Sequence, residues 1–264
     1  DVTRPMPALK RRWLRSTLRA SEVVLSVSQF TADYVVRELG IDEERVEVVP
    51  NGVDPEAFAH HADHAELERS LGLDGAPVVL TLSRVIERKG HDMVIRALGR
   101  VRERVPSVRY LVAGPGAPEE LERLRSIARS SGVEDAVQFL GYVDSEDLAR
   151  VYGLCDVYVM PSRYDLSTGD SEGFGITYLE ANACGKPVIG GASGGIPDAI
   201  EDGRTGYLVD PLDPEEIADR LIELLEDPAR AREMGARGLE RVHDRYNWPA
   251  ISRRILELLE ERRT

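Results

Sequence analysis

The sequence predicts an α/β fold: a parallel sheet covered on both faces by helices and followed by a helical tail. Between residues 77 and 209, short apolar runs alternate with segments whose apolar residues recur at helical spacing. Such alternation marks strands joined by helical crossovers. Beyond residue 213 the stretches 214–225, 228–246 and 248–263 keep helical spacing with no strand between them. In the last of these, Ile251, Ile255, Leu258 and Leu259 form one apolar stripe suited to packing.

The first twenty residues hold Arg4, Lys10, Arg11, Arg12, Arg15 and Arg19 against one acid, with Trp13, Leu14 and Leu18 among them. This reads as a basic amphipathic helix with two uses open to it. It could touch an anionic lipid surface, or pack its apolar side inward as a surface helix. A strand is expected over 22–28, a helix over 31–39 stopped by Gly40, and a strand over 45–50 running into the turn residues Asn51, Gly52, Val53, Asp54 and Pro55. A domain boundary is expected there. Residues 1–50 are too few to bury a core alone and read as the remnant of a larger N-terminal domain. Residues 51–76 then form a linker, 77–245 the main domain, and 246–264 a terminal helix packing back toward the N-terminal domain. Within the linker, His60, His61 and His64 stand beside Asp63. The charged connector is expected to have no strand or helix to fix them, so metal binding is not expected.

Strands follow at 78–82, 109–113, 137–140, 157–160, 187–190 and 206–209, with helices at 91–104, 119–131, 144–152 and 176–184, the last closed by Gly185. In open parallel sheets ligands bind beyond the carboxyl ends of the strands. The loops of chemical interest all leave strands at that edge. Arg84 and Lys89 follow the first strand; an arginine fork and a lysine point charge together suit a diphosphate. Gly114 follows the second, where a missing side chain would let a ligand approach the backbone. Val143 follows the third and could face a flat base, and residues 193–198 offer further exposed amides.

The densest run is Glu172-Gly173-Phe174-Gly175-Ile176-Thr177-Tyr178-Leu179-Glu180. It would deliver a loop onto a helix N-terminus, whose unpaired amides and positive dipole suit an anion. Glu172 stands before the helix and Glu180 about a turn inside it, so both carboxylates could border one cleft and bind hydroxyls, as on a sugar and a ribose. The plainer alternative is that an acid near a helix start only complements its dipole. No Asp-x-Asp run stands where a divalent ion would bridge phosphates, so Arg84 and Lys89 are expected to take that role with no metal or cofactor.

Composition narrows the classes. A net charge of -13 argues against a nucleic-acid surface. No apolar run reaches membrane-spanning length, and neither end reads as a secretory signal. Cys155 and Cys184 are the only cysteines and form no close pair, which suits a reducing compartment and buried packing roles. A cytoplasmic location is expected, with peripheral contact at the inner membrane face if the basic helix touches lipid.

Taken jointly, Arg84 and Lys89, Glu172 and Glu180 with Gly173-Phe174-Gly175 between them, residues 49–54 and residues 194–198 resemble family 4 of the retaining glycosyltransferases. The resemblance runs from about Ser21 to the end. It implies the GT-B architecture of two Rossmann-like domains, of which this chain supplies the nucleotide-sugar half. It further implies that Arg84 and Lys89 hold the donor's diphosphate, Glu172 contacts the transferred sugar and Glu180 the ribose, while Ile176 and Val143 line the donor pocket. The implied reaction moves a hexose from a nucleoside-diphosphate sugar to a hydroxyl acceptor of unknown identity, by front-face attack assisted by the leaving phosphate. The sequence departs from the family in lacking most of the N-terminal domain, so the isolated chain is expected to bind donor weakly and transfer poorly. Its 162–171 loop is long and resembles that of mannosyltransferases acting on phosphatidylinositol lipids, which implies GDP-mannose as donor, with a UDP-sugar the other candidate. A nucleotide-sugar epimerase and a non-catalytic binding module remain as alternatives.

Overall fold

The computed structural model describes residues 6–59 and 64–262. Arg4 and the cluster of His60, His61 and Asp63 lie outside these residues. Near the start, α1 (Ala8–Ala20) lies against a small unit of β1 (Val24–Ser26), α2 (Gln29–Leu39) and β2 (Val46–Val48). The two strands pair in parallel. Ser28 and Thr31 form a reciprocal capping box at the start of α2, and Gly40 ends it in the left-handed region.

The basic helix divides its side chains between two tasks. Leu14 and Leu18 pack on Val24, Val35, Leu39 and Ile41. Arg11 donates to the carbonyl and carboxylate of Glu38, and Arg19 to the Gly40 carbonyl, so both meet the negative end of α2. Leu9 and Trp13 remain 83% and 68% exposed.

The connector differs from expectation, because it contains α3 (Pro55–Ala59) and α4 (Ala65–Ser70). Pro55 starts α3, where its missing N–H costs nothing, and the Asp54 carboxylate accepts from the Glu56 amide. Leu67 and Leu71, one turn apart, pack with Phe58 against the main core. Charged neighbours conceal that spacing in the sequence.

The main sheet is built from β3 (Val78–Leu82), β4 (Arg109–Ala113), β5 (Val137–Gly141), β6 (Val157–Met160), β7 (Val188–Gly191) and β8 (Gly206–Val209). Between them run α5 (His91–Arg104), α6 (Pro118–Ser130), α7 (Leu148–Leu154), α8 (Ile176–Ala183) and the short α9 (Ile196–Ala199). The helix expected over 144–152 begins only at Leu148, because residues 144–147 close a turn from the Asp147 amide to the Asp144 carbonyl. The strands are parallel throughout, in the order β5-β4-β3-β6-β7-β8. Successive strand residues serve opposite faces: Val79, Tyr110, Val157 and Ile189 join one apolar cluster, while Leu80, Leu111, Tyr158 and Val188 join the other. Each such aliphatic side chain contributes roughly 1.5 to 3 kcal/mol by burial, so both helical layers are firmly attached. The chain reverses its direction of travel between β3 and β6, and in such sheets ligands bind at that switch point, beyond the strands' carboxyl ends.

The tail consists of α10 (Pro214–Glu226), α11 (Pro228–Arg245) and α12 (Trp248–Glu261), capped in turn by Asp213, Asp227 and Asn247. Ile251 and Leu258 pack with Val49, and Arg262 donates to the Glu44 carbonyl and the Glu47 carboxylate. The terminal helix thus returns to the N-terminal unit. Both cysteines are free and buried, and burial pushes the Cys155 thiol up to about 12. No described helix is long and apolar enough to cross a membrane.

Candidate functional site

The loops at the carboxyl edge of the sheet are laced to one another. The Ser83 amide donates to the Ala113 carbonyl, Val85 to Pro115, Gly114 to Gly141 at 2.6 Å, Arg163 to Arg88, and Gly195 to Glu172 at 2.8 Å. Gly114 sits at φ 128°, and a Cβ there would lie 1.8 Å from the Ser83 carbonyl oxygen. The absent side chain therefore serves the meeting of two loops, and its amide is already used by Gly141.

At the switch point, Lys89 and Glu172 come together. Residues Glu87–Lys89 form a 3-10 turn that carries Arg88 and Lys89 inward. The Lys89 Nζ lies 2.5 Å from Glu172 Oε2, and the Arg88 Nη1 lies 3.1 Å from the same oxygen. Arg88 also donates through Nε to Asp170 at 3.1 Å and through Nη1 to Ser162 Oγ at 3.2 Å. Burial pushes the Lys89 ammonium below its usual range, against the pull of Glu172. Burial pushes the Glu172 carboxyl up, but Lys89 and Arg88 outweigh it and hold it below the usual carboxylate range. Lys89, Arg88 and Glu172 thus form one ion-paired cluster, in which Arg88 is also held by Asp170 and Ser162. Arg84 is exposed and lines an open pocket of ≈ 450 Å³ with Gly116 and Glu120. Its charge reaches Lys89, where it is one of the influences lowering the ammonium.

The glycine turn beside this cluster is anchored from below. Phe174 is buried and stacks on Tyr246 at 6.0 Å, so its side chain holds the turn down and only its backbone faces the cleft edge. Gly175 precedes α8 at φ 93°, and a Cβ there would meet the Tyr178 ring at 2.5 Å. No side chain caps α8, which leaves the amides of its first turn without a side-chain acceptor. The ideal Cβ position of Gly173 lies 3.9 Å from Val27 and Thr31 side-chain carbons, so the small N-terminal unit borders the turn. Asp198 joins them further, accepting from the Gln29 amide at 2.8 Å. Ile176 and Val143 are half-buried and pack against the same core cluster.

Glu180 stands on α8, with Oε2 accepting from the Tyr152 hydroxyl at 2.7 Å. Burial raises its carboxyl, and that hydrogen bond opposes the rise. Both carboxylates, Glu172 and Glu180, act on the buried Tyr158 hydroxyl, whose pKa is pushed well up by burial first and by these charges after it. Beneath the loop after β3, buried His91 meets Ser83 Oγ and the Tyr110 hydroxyl, each at 3.3 Å, and burial lowers its pKa to about 4. The structure thus brings Lys89 to Glu172 and places Arg84, Gly173, Ile176 and Glu180 along the same edge. Arg88, Asp170, His91 and Tyr152 complete the arrangement, and sequence pattern did not single them out. Among the described residues, no three His, Cys, Asp or Glu side chains converge to hold a metal ion.

This geometry can neutralise a diphosphate from one side of the crevice and accept hydroxyl hydrogens on the other. The family model of glycosyl transferases group 1 matches residues 63–241, and that of Glycosyltransferase Family 4 matches residues 2–57. The chain belongs to the group 1 glycosyltransferases. This glycosyltransferase is 39% identical over 264 residues to the GDP-mannose-dependent alpha-(1-6)-phosphatidylinositol monomannoside mannosyltransferase of Mycolicibacterium smegmatis, a match covering 100% of this chain and 68% of that protein. It is 33% identical over 239 residues to the D-inositol 3-phosphate glycosyltransferase of Segniliparus rotundus, covering 89% of this chain and 51% of that protein. Its fold matches Anabaena HepE in complex with UDP and glucose at a TM-score of 0.84 and 23% identity, covering 97% of this chain and 68% of that one. Sucrose-phosphate synthase from Thermosynechococcus elongatus gives 0.81 at 29% identity, covering 97% and 62%. The architecture is that of the GT-B glycosyltransferases. The group 1 glycosyltransferase spans about two thirds of the length of its mannosyltransferase relatives.

Proposed function

We propose that this chain supplies the donor site of a retaining mannosyltransferase that uses GDP-mannose and delivers mannose to an inositol-containing lipid. The observation that carries the reading is the Lys89–Glu172–Arg88 cluster at the switch point, where a cation for the diphosphate and a carboxylate for the sugar share one crevice. Arg84 and Lys89 hold the diphosphate, with the α8 amides completing the anion site and no divalent ion required. Glu172 contacts the hexose, Glu180 the ribose, and Val143 and Ile176 border the base and sugar. As the anomeric C–O bond to the diphosphate breaks, Arg84 and Lys89 stabilise the negative charge on the leaving phosphate, and the acceptor hydroxyl attacks from the same face and passes its proton to that phosphate, so configuration is kept. The activities of the mycobacterial relatives at 38–39% identity support GDP-mannose and the lipid acceptor. Nothing among them favours an epimerase.

A thermal-shift panel of GDP, UDP, ADP and their sugars tests the donor. Ligand present at about a hundredfold its Kd stabilises the native state by about 2.7 kcal/mol, so GDP and GDP-mannose should raise the melting temperature while UDP and ADP do little. Stabilisation by UDP alone would refute the GDP assignment. A peripheral membrane contact on the cytoplasmic side forms part of the reading, supported by exposed Leu9 and Trp13 flanked by Lys10 and Arg12 on α1. Flotation with phosphatidylglycerol-rich vesicles should capture the protein at low salt and release it with Trp13→Ser, whereas equal recovery on neutral vesicles would count against the contact.

A further inference from the structure

Glu180 has to present one defined oxygen to a ligand, yet it sits mid-helix on α8, where its side chain has several rotatable bonds and no basic side chain among the described residues is ion-paired with it. What fixes it comes from another helix. The Tyr152 hydroxyl on α7 donates to Oε2 at 2.7 Å. Tyr152 is itself fully buried, and its ring is wedged between Phe58 of α3, edge-on at 5.9 Å, and Tyr158 of β6 at 5.7 Å. A ring clamped on two sides cannot swing, so its hydroxyl marks a fixed point for the carboxylate. Burial, and then the Glu180 charge, hold that hydroxyl well above the ordinary phenol range, so it stays a proton donor throughout.

We propose that Tyr152 is a positioning residue, whose hydroxyl immobilises one oxygen of Glu180 so that the other is aimed at a ribose hydroxyl of the bound nucleotide. The proposal rests on the reading of Glu180 as the ribose contact. It adds a coupling, because Phe58 belongs to the segment that joins the N-terminal unit to the sheet domain, and its pressure on Tyr152 passes to the nucleotide site.

The test is the preference for ribose over its deoxy counterpart, measured by calorimetry with GDP and 2′,3′-dideoxy-GDP. Tyr152→Phe removes one oxygen and keeps the ring, so the clamp survives. The native chain should prefer GDP, and Tyr152→Phe should weaken GDP by on the order of tenfold, the scale of a hydrogen bond to a charged group. Binding of dideoxy-GDP should hold, so that the preference collapses; in transfer assays the donor KM should rise with kcat kept. A variant that loses both ligands equally, or that melts earlier with the preference intact, would show a packing role and overturn the proposal. Glu180→Gln separates the two layers. If it abolishes the preference while Tyr152→Phe leaves it, the ribose reading stands and the positioning role fails; if neither changes it, both fail.

Discussion

Glu172→Gln is expected to slow hexose transfer by at least about a hundredfold while leaving GDP affinity unchanged or raised. The asymmetry follows from what the carboxylate touches. Glu172 Oε2 is held by both Lys89 and Arg88, so in the donor-free protein it occupies the ammonium that the diphosphate needs. Removing the charge frees Lys89 for the nucleotide, and binding does not suffer. Transfer does suffer, because a carboxylate at the hexose contributes most when positive character develops at the reacting carbon, an interaction stronger in the transition state than in the ground state. Steady-state transfer and calorimetric GDP binding, measured on the same preparation, check this. Parallel losses in the two would mean that Glu172 only helps to bind.

Lys89→Ala should act in the opposite way, weakening GDP and GDP-mannose by about 1.5 to 3 kcal/mol, the range for hydrogen bonds to charged groups. No neighbour replaces it. Arg88 is held in place by Asp170, Ser162 and Glu172, and Arg84 is exposed and acts from the outer side. The fold should tolerate the change, because Glu172 keeps Arg88 as a counter-charge and so is not left buried and unpaired. Lys89→Arg is a poor rescue, since the native side chain is only 10% exposed and its head already lies at hydrogen-bond distance from the carboxylate. Calorimetric titration measures the loss directly.

Much of this was legible in the chain because it rests on local pattern. The strands of the main sheet appear as short apolar runs, and the glycine turn with its flanking acids announces a loop entering a helix. The parts that were not legible depend on contacts between distant residues. Arg88 sits beside Lys89 in sequence and looks like one more surface cation, yet its partners Asp170 and Glu172 lie 82 and 84 positions away. Tyr152 looks like an ordinary apolar position at a helix end, and only the folded chain brings the Glu180 carboxylate of α8, 28 positions away, to its hydroxyl. Phe174 lies inside the glycine motif, and only the packing shows that its aromatic side chain is buried against Tyr246. In the connector, scattered charges hide a turn of helix whose Leu67 and Leu71 find the core. Composition likewise leaves the basic helix ambiguous, since Leu14 and Leu18 turn inward while Leu9 and Trp13 do not.

The central claim is that the loops after β3 and β6, together with α8, form one site for one nucleotide sugar. Calorimetric titration of GDP-mannose into the native chain, Lys89→Ala and Glu180→Ala tests it most directly, because these residues come from different elements and contact different ends of the ligand. The account predicts one ligand per chain, with affinity reduced in each variant. An affinity that either substitution leaves at the native value would contradict a shared site.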